Sequence, residues 1–429
     1  MSRRRIAVVG SGVAGLTAAY LLQRTADVTL YEADSRLGGH AHTHDLLDRT
    51  GRSVQVDTGF IVHNPRTYPN LLRLFAELGI ETQDSEMSMS IRCAGCGLEY
   101  AGARGLGGLF PRWTNLGRPR YLYLLCEIVR FHRQARALLA LPAATDAAQA
   151  ETMDEFLARG HFTQYFRRHF VTPLISAVWS CAPKLAGSYP ARYLFEFLDN
   201  HGMLTVTGSP QWRTVVGGSA RYVERAVKPL TAVYTNSPVR SIGREGDAVR
   251  IQLDDEDDEP DQLFDGVVVA THPDQALRLL AQPTPLQREL LSAIEYSRNP
   301  TTLHCDVSVL PTAARAQASW NYLLPDCAAG TAAHVTYDMN RLQRLDAETR
   351  YLVTLNDEAP GSAVDDGRVI RRMVYDHPIF TPTSVAAQAR LPELNDGVLA
   401  FAGAYHGWGF HEDGCRAGVE AARSLGGQW

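Results

Sequence analysis

The stretch Arg5-Ile-Ala-Val-Val-Gly-Ser-Gly-Val-Ala-Gly15 decides the fold of this chain. Its apolar opening is typical of a parallel strand that is buried on both faces, and residues 16–23 after the glycines form a good helix sequence. A second apolar run, residues 28–31, ends at Glu32, about twenty residues beyond the glycines as the nucleotide-binding pattern requires. Strand, glycine turn, helix, strand and acid together indicate a nucleotide-binding βαβ unit.

Each glycine of this G-x-G-x-x-G pattern has a predicted role. Gly10 makes the tight turn, Gly12 lets the backbone approach a pyrophosphate, and Gly15 lets the helix and strand pack closely. The phosphates would lie at the positive end of the helix, and the carboxylate of Glu32 would accept hydrogen bonds from the ribose. The residues predicted to bind this part of the cofactor are Gly10, Ser11, Gly12, Val13, Ala14, Gly15, Glu32 and Ala33.

The next stretch, Arg36-Leu-Gly-Gly-His40, resembles the R-x-G-G-R continuation of the FAD-dependent amine oxidase and phytoene desaturase superfamily. The resemblance implies that the cofactor is FAD, that Gly38 and Gly39 contact its pyrophosphate, and that His40 lies near the flavin. Val56-Asp-Thr-Gly-Phe-Ile61 resembles the segment that passes under the flavin ring in this superfamily. It implies that Gly59 and Phe60 contact the cofactor, and Asp57 is either part of that contact or an acid of a turn.

Two later stretches also resemble this superfamily. Val239 begins a strand that would contact the adenine, and the end of the chain resembles the closing motif of an apolar strand, a glycine turn and a terminal helix. The N-terminus of that helix would lie near the flavin and stabilise negative charge on the reduced ring. The cofactor-binding residues that this motif implies are Gly403, Phe410, His411 and Glu412.

The nucleotide-binding pieces therefore occur at the start, in the middle and at the end of the chain. The resemblance implies an α/β fold, in which a Rossmann-like FAD-binding domain of the GR2 type is interleaved with an α+β substrate domain. We expect residues 1–80, 209–280 and 390–429 to form the FAD-binding domain, and residues 81–208 and 281–389 to form the substrate-binding domain.

Length and composition agree with an ordinary soluble globular protein of two domains. The chain has 429 residues, of which 45% are hydrophobic and 21% charged, as in ordinary globular proteins. The net charge of −5 gives no indication of nucleic-acid binding, and no apolar run is long enough to span a bilayer. The basic start resembles a signal peptide, but it contains the nucleotide-binding pattern, so we expect a cytoplasmic protein.

The seven cysteines are scattered and predict no disulfide framework. Cys93-Ala-Gly-Cys96 has the spacing of metal ligands, but no second cysteine or histidine pair follows at a suitable distance. We therefore predict a turn between strands there and no metal site. Residues 254–261 carry seven acids in eight positions, and they predict a solvated hairpin turn.

A basic and aromatic stretch runs from Arg112 to Arg136. It holds six arginines against one glutamate, with Trp113, Tyr123 and other aromatic residues between them. Basic amphipathic helices of this kind bind anionic headgroups, so peripheral membrane contact is one interpretation. The other is a solvated arginine face over a packed helix.

Departures from the amine oxidase pattern bear on the substrate. Many members place a lysine near flavin N5, but this chain has no lysine after Lys228. Phe410 stands where the resemblance places an amine-binding tyrosine. Amine oxidation is therefore disfavoured.

The closing residues 403–414, together with residues 36–43, resemble bacterial flavoproteins that accompany cyclopropane-fatty-acid-synthase-like methyltransferases. The resemblance implies a lipid acyl-chain substrate, either reduction of a methylene branch or desaturation of a methyl-branched chain, and a methyltransferase as a partner. The candidates for proton transfer are Tyr405, His406 and His411, while His63, Trp179 and Tyr375 are weaker pocket predictions.

Other interpretations stay open at this point. An oxidase of an amine, a porphyrinogen or a carotenoid-like molecule would use the same fold, and a lipid-binding protein could have kept the fold without catalysis. The chain has no second dinucleotide-binding pattern. NADPH, if it is the electron donor, would therefore dock only transiently.

Overall fold

A computed structural model describes residues 3–48, 50–142, 151–204, 209–254, 262–327, 334–357 and 364–429. Residues 255–261 of the predicted acidic turn lie outside these ranges. The strands are β1 (Arg4–Val9), β2 (Ala26–Tyr31), β3 (Thr43–Leu47), β4 (Ser53–Asp57), β5 (Thr82–Asp84), β6 (Met89–Cys93), β7 (Leu98–Gly102), β8 (Arg213–Val215), β9 (Ala232–Tyr234), β10 (Val239–Glu245), β11 (Ala248–Leu253), β12 (Gln262–Phe264), β13 (Gly266–Val269), β14 (Tyr296–His304), β15 (Trp320–Leu324), β16 (His334–Asp338), β17 (Leu352–Leu355), β18 (Val369–Pro378) and β19 (Leu399–Phe401).

The helices connect and cover these strands. They are α1 (Val13–Leu22), α2 (Pro69–Leu78), α3 (Gly105–Leu109), α4 (Pro119–Ala140), α5 (Met153–Arg159), α6 (Gln164–Phe166), α7 (Thr172–Trp179), α8 (Ala191–Asn200), α9 (Ala220–Val227), α10 (Pro273–Leu279), α11 (Pro285–Ser292), α12 (Met339–Leu342), α13 (Pro382–Arg390) and α14 (His411–Ser424). A π-helical turn, Arg167–Val171, links α6 to α7. No helix among the described residues has both the length and the apolar character needed to cross a membrane.

A five-stranded parallel sheet carries the nucleotide-binding unit, in the order β19-β13-β1-β2-β9. Its strands come from three separate parts of the chain, with β1 and β2 from the start, β9 and β13 from the middle, and β19 from near residue 400. Strand β1 pairs with β2 on one side and with β13 on the other. The predicted α/β class is confirmed. The carboxyl ends of β1 and β2 lie next to each other, which is where open α/β sheets bind ligands.

The last helix packs against the first. A Cβ at Gly418 of α14 would lie 2.3 Å from the carbonyl oxygen of Ala14 in α1, and Thr17 Oγ1 lies 3.5 Å from Cys415 Sγ. This close approach requires glycine on α14. The two ends of the chain therefore form one layer over the parallel sheet.

The second large sheet has seven strands in the order β18-β14-β17-β16-β15-β6-β7. An aromatic core lies between this sheet and helices α4 to α8, and it includes Phe131, Phe156 and Phe195, whose rings lie 4.8–5.9 Å apart between centroids. Aromatic contacts of this kind add to the apolar area that they bury. This sheet and its helices form one wall of the cavity described below.

The predicted βαβ unit and the strand that begins at Val239 are confirmed as β1, α1, β2 and β10. The apolar run 263–269 forms two strands, because β12 joins the antiparallel sheet β10-β11-β12 while β13 joins the parallel sheet. Strand β14 ends at His304, and Asp306 then accepts a hydrogen bond from the Ser308 amide and starts a 3₁₀ turn. Thr152 and Glu155 form a capping box at the start of α5.

Candidate active site

A cavity of about 660 Å³ runs from the N-terminus of α1 to the aromatic core of the second sheet. Sixteen of the predicted site residues line it, and they come from the first sixty residues, from Val239 and from residues 403–411. These residues are Gly10, Ser11, Gly12, Val13, Ala14, Glu32, Ala33, Gly39, His40, Gly59, Phe60, Val239, Gly403, Tyr405, Phe410 and His411.

The glycines at the start of α1 form an open cradle. A Cβ at Gly12 would meet no protein atom within 4 Å, whereas a Cβ at Gly15 would lie 1.9 Å from the Gly10 carbonyl oxygen. Gly10 has a φ of +99°, and a Cβ there would lie 2.7 Å from the Ala270 carbonyl oxygen. Gly12 is the N-cap of α1 and makes no side-chain capping hydrogen bond, so the first amides of the helix are available to an anion.

Glu32 closes the other side of this cradle. One of its carboxylate oxygens accepts hydrogen bonds from the backbone amide of Ser11, at 2.9 Å, and from the Ser11 hydroxyl. The same hydroxyl accepts one from the Gly38 amide at 3.0 Å. Ser11 therefore joins the acid at the end of β2 to the second glycine pair.

That second pair lies directly against the first cradle. A Cβ at Gly39 would lie 3.1 Å from the Gly12 Cα atom, and Gly39 lines the cavity. Gly38 does not line it. Its φ of +108° and a Cβ position 2.6 Å from the Ala41 carbonyl oxygen show that it is needed for the turn itself.

Arg36 is a residue that the sequence analysis did not include among the site residues. Its Nη1 atom is buried and has no hydrogen-bond partner within the described ranges. Burial, followed by the positive charge of Arg36, lowers the pKa of His42 to about 3. The position of Arg36 at the head of the R-x-G-G pattern is the sequence signal that could have identified it.

His40 and the D-x-G segment fix the backbone on the far side of the cradle. The Phe60 amide donates to the His40 carbonyl at 2.7 Å, and a Cβ at Gly59 would lie 2.2 Å from the same oxygen. Burial, followed by the charges of His377 and other neighbours, holds the pKa of His40 well below its usual range. The imidazole of His40 is therefore neutral.

The start of the terminal helix lies against the D-x-G segment. The His411 ring stacks on the Phe60 ring with centroids 3.7 Å apart, and His411 Nε2 lies 3.1 Å from the Tyr222 hydroxyl. Burial and His63 lower the pKa of His411 to about 3. His411 therefore stays neutral near neutral pH.

Tyr405 differs from the two histidine candidates. It is fully buried, its hydroxyl has no hydrogen-bond partner among the described residues, and it lines the cavity. Burial raises the pKa of its phenol, so the group keeps its proton. His406 also has an unpartnered Nε2 atom, but it does not line the cavity, and burial lowers its pKa to about 3.

Two acids of these motifs, Glu412 and Asp57, accept hydrogen bonds that hold separate segments of the fold together. The Glu412 carboxylate accepts hydrogen bonds from the amides of Asn70, at 3.1 Å, and Leu71, at 3.0 Å, at the start of α2. It does not line the cavity. Asp57, fully buried, accepts from Thr43, Ser219 and Gln343. The sequence placed Glu412 at the cofactor, whereas here it attaches α2 to the terminal helix.

Of the three weaker pocket predictions, two line the cavity and one does not. Trp179 and Tyr375 line the cavity, and the Trp179 indole donates to the Trp408 carbonyl at 3.0 Å. The Tyr375 hydroxyl lies 2.6 Å from Thr58 Oγ1. His63 is buried outside the lining, and neither of its ring nitrogens has a partner in the described structure.

The open cradle at Gly12 and the carboxylate of Glu32 fit a dinucleotide such as FAD, with its pyrophosphate at the start of α1 and its ribose at the acid. Fold and cradle together define a Rossmann-like flavoprotein. The chain belongs to the flavin-containing amine oxidoreductase family, a class of FAD-dependent oxidoreductases, because residues 13–309 match its sequence profile.

Two curated relatives share shorter segments with the chain. Tryptophan 2-monooxygenase from Allorhizobium ampelinum is 40% identical over 78 residues, which cover 18% of this chain and 10% of that protein. Protoporphyrinogen oxidase 2 from Arabidopsis thaliana is 58% identical over 197 residues, or 43% of this chain and 34% of that protein. The chain thus spans about a third or less of the length of the curated relatives that it matches.

Solved structures resemble the whole chain. Cyclohexylamine oxidase from Brevibacterium oxydans IH-35A has a TM-score of 0.68 at 17% identity, with 99% of this chain and 98% of that chain covered. The CLA-producing fatty acid isomerase from P. acnes has a TM-score of 0.69 at 18% identity, with 97% of each chain covered. At these identities the likeness shows the fold.

Proposed function

We propose that the protein transfers hydride between the flavin of FAD and a carbon centre of a lipid acyl chain. The observation that carries this proposal is the chemistry of the cavity wall beyond the cofactor cradle. Lining residues from 61–212 and 320–355 include no Asp, Glu, Lys or Arg, and the charged residues of the lining, which are Glu32, Asp34, Arg278 and Asp376, come from other segments. An apolar chain loses little on entering such a chamber, whereas a charged amine would lose its hydration without a compensating partner.

The chamber also offers donors for a carbonyl group. Trp212 and Trp320 line the cavity, and their indole N–H groups are buried without an acceptor among the described residues. Buried donors are normally paired. The ester or carboxyl oxygen of a fatty acyl group would supply the acceptor, while Phe197, Met203 and Tyr337 surround the chain.

Residues of this chain would hold the proton that accompanies the hydride. When bound, the flavin supplies or accepts a hydride at N5. In the reductive direction, an alkene carbon takes the hydride and its neighbour takes a proton, which we assign to the Tyr405 hydroxyl. Tyr405 keeps its proton and lines the cavity, whereas neutral His411 has its Nε2 engaged by Tyr222.

The test compares branched phospholipids, an amine and a porphyrinogen as substrates under anaerobic conditions. The oxidised protein is mixed with methyl-branched phospholipid, and loss of the flavin colour indicates a desaturase. The reduced protein is mixed with methylene-branched phospholipid, and return of the flavin colour indicates a reductase. NADPH, tested separately, shows whether a nicotinamide is the donor. Rapid reduction by an amine or a porphyrinogen, with no response to either lipid, would refute the acyl-chain proposal.

Tyr405→Phe tests the proton assignment. Since the ring is retained and only the hydroxyl is removed, we expect unchanged flavin content and a fall in the lipid-dependent rate of about 10²–10⁴-fold, the usual contribution of a positioned acid. The measurement is stopped-flow absorbance of the flavin. His406→Gln is the control, since His406 lies outside the cavity lining. Equal rates for Tyr405→Phe and the parent protein would exclude Tyr405.

A lipid substrate would reach the cavity from a membrane, so the protein needs a surface that contacts lipid. On and before α4, Trp113 is 86% exposed, Tyr123 53% and Val129 64%, and Arg120 and Arg133 are exposed. Exposed aromatic and basic residues together suit a surface of anionic lipid. We propose that this face docks on such a membrane, and that the methyltransferase inferred as a partner supplies the branched chain there.

Vesicle co-sedimentation tests the docking. Arg120→Glu with Arg133→Glu is expected to weaken binding to phosphatidylglycerol vesicles by at least about tenfold, because each basic residue contributes about 1 kcal/mol near an anionic surface. The matched control is Arg240→Glu with Arg288→Glu, which changes the net charge equally at exposed positions on β10 and α11. An equal loss in both double variants would show a general charge effect and refute a specific face.

A further inference from the structure

Four side chains of types that can ligate a metal lie close together outside the cavity, in a cluster that the mechanism above does not use. Cys93, Cys96, His169 and Cys327 each offer one ligand atom, and these atoms all lie within 4.8 Å of one another. None of the four lines the active-site cavity. From this geometry we propose that the protein holds a structural zinc ion in a Cys₃His site.

The distances agree with tetrahedral zinc. Cys93 Sγ lies 3.6 Å from Cys327 Sγ, and Cys96 Sγ lies 3.7 Å from His169 Nε2. Zinc–sulfur and zinc–nitrogen bonds of about 2.3 and 2.1 Å place neighbouring ligand atoms roughly 3.5–3.8 Å apart. Four protein ligands complete the coordination, which is typical of structural rather than catalytic zinc.

The turn that carries the first two ligands is shaped for this contact. It lies between β6 and β7, as predicted, and the Gly97 amide donates to the Cys93 carbonyl at 2.9 Å. A Cβ at Gly95 would lie 3.0 Å from the Cys327 backbone nitrogen, so only glycine lets this turn approach the third cysteine. The Ala94 amide also donates to the Leu324 carbonyl at 2.8 Å.

The histidine is oriented toward the same point. His169 lies in the π-helical turn, and its Nδ1 lies 3.0 Å from the Tyr165 carbonyl oxygen. Nδ1 is therefore the protonated nitrogen, and Nε2 is left for a metal. π-helical turns of this kind occur frequently at functional sites.

Two arginines neutralise the site from outside. Arg118 donates to the Cys96 carbonyl at 2.7 Å, and Arg168 donates to the Cys327 carbonyl at 3.0 Å. Three thiolates with one Zn²⁺ carry a net charge of −1, which the two guanidinium groups, with a charge of +2, would more than offset. A disulfide between Cys93 and Cys327 would explain neither the arginines nor the convergence of Cys96 and His169.

The experiment measures metal content in the full-length protein. We expect about one zinc ion per chain by plasma mass spectrometry, as four protein ligands require. Cys96→Ser with Cys327→Ser should reduce it at least tenfold. Cys126→Ser is the matched control and should keep the zinc, because Cys126 is exposed on α4 and lies apart from the cluster.

A second measurement applies if the double variant does not fold. The parent protein is exchanged into Co²⁺, and tetrahedral thiolate coordination should give intense visible bands together with sulfur-to-metal charge transfer. A protein that binds neither zinc nor cobalt under reducing conditions, or that contains a Cys93–Cys327 disulfide by mass spectrometry, would overturn the proposal. Flavin content is recorded in parallel, because the zinc proposal stands independently of the proposed reaction.

Discussion

A Gly12→Val variant is expected to fold like the parent protein and to carry no flavin. Gly12 has φ −63° and ψ 173°, a conformation that valine adopts without strain. A Cβ there meets no protein atom within 4 Å, so the added side chain would enter the cradle itself. It would prevent the pyrophosphate from reaching the amides of α1. The loss of two charge-assisted hydrogen bonds, at about 1.5–3 kcal/mol each, weakens binding by about 10²–10⁴-fold.

The measurement combines flavin absorbance of the purified protein with thermal unfolding of the apoproteins. Gly243→Val on β10 is the matched control, because a Cβ at Gly243 also meets no atom within 4 Å. This control should keep its flavin. Gly15→Val is the contrasting variant, since a Cβ 1.9 Å from the Gly10 carbonyl oxygen separates α1 from β1. A Gly12→Val protein with full flavin content would show that the cradle is not the cofactor site.

An Asp57→Ala variant is expected to lose about 3 kcal/mol or more of unfolding free energy, because it leaves several buried donors without an acceptor. Asp57 accepts from the hydroxyl groups of Thr43 and Ser219, from the Ser219 amide and from Gln343. These donors belong to β3, the start of α9 and the end of α12. Removing the carboxylate disconnects three segments that support the cavity wall at Gly59.

The pH dependence of this effect has a definite sign. Burial is the main cause that raises the pKa of Asp57, from 3.8 to about 6. The native state therefore binds more protons than the unfolded state between these values, and the contribution of Asp57 to stability declines as the pH rises through them. Denaturant unfolding of Asp57→Ala and the parent protein should show a difference that narrows as the pH rises from 3.8 to about 6.

Asp45→Ala is the control for this experiment. Asp45 lies on the same hairpin, is exposed, and accepts one hydrogen bond from Gln55. Surface substitutions of this kind usually change stability by less than about 0.5 kcal/mol. Equal stability losses for the two variants would show that Asp57 does not connect the three segments.

The features that sequence predicted well are local. The βαβ unit and the turn between β6 and β7 depend on residues close together in the chain. Apolar runs and glycine turns determine such structure directly. These patterns also identified sixteen residues of the cavity lining, because the superfamily motifs are short and each contributes its own backbone.

The features that could not be predicted from the sequence depend on contacts between residues of distant segments. The partner of Glu412 is the start of α2, 342 residues away, and no local pattern indicates that contact. The cysteine cluster is a similar case. A metal site is recognised from sequence by a second ligand pair, whereas the fold supplies His169 and Cys327 singly, from a helix and from beyond the end of a strand.

The pairing of the first helix with the last affects how the protein is made. Strand β1 stays unpaired on one side until β13 has been synthesised, and the cavity lacks Gly403, Tyr405 and His411 until residues 403–411 leave the ribosome. Contacts between such distant residues form slowly, and they leave apolar surface exposed during translation. We therefore expect flavin capture to follow the synthesis of residues 403–411. A chain that ended before β19 could neither bind the cofactor nor cover α1.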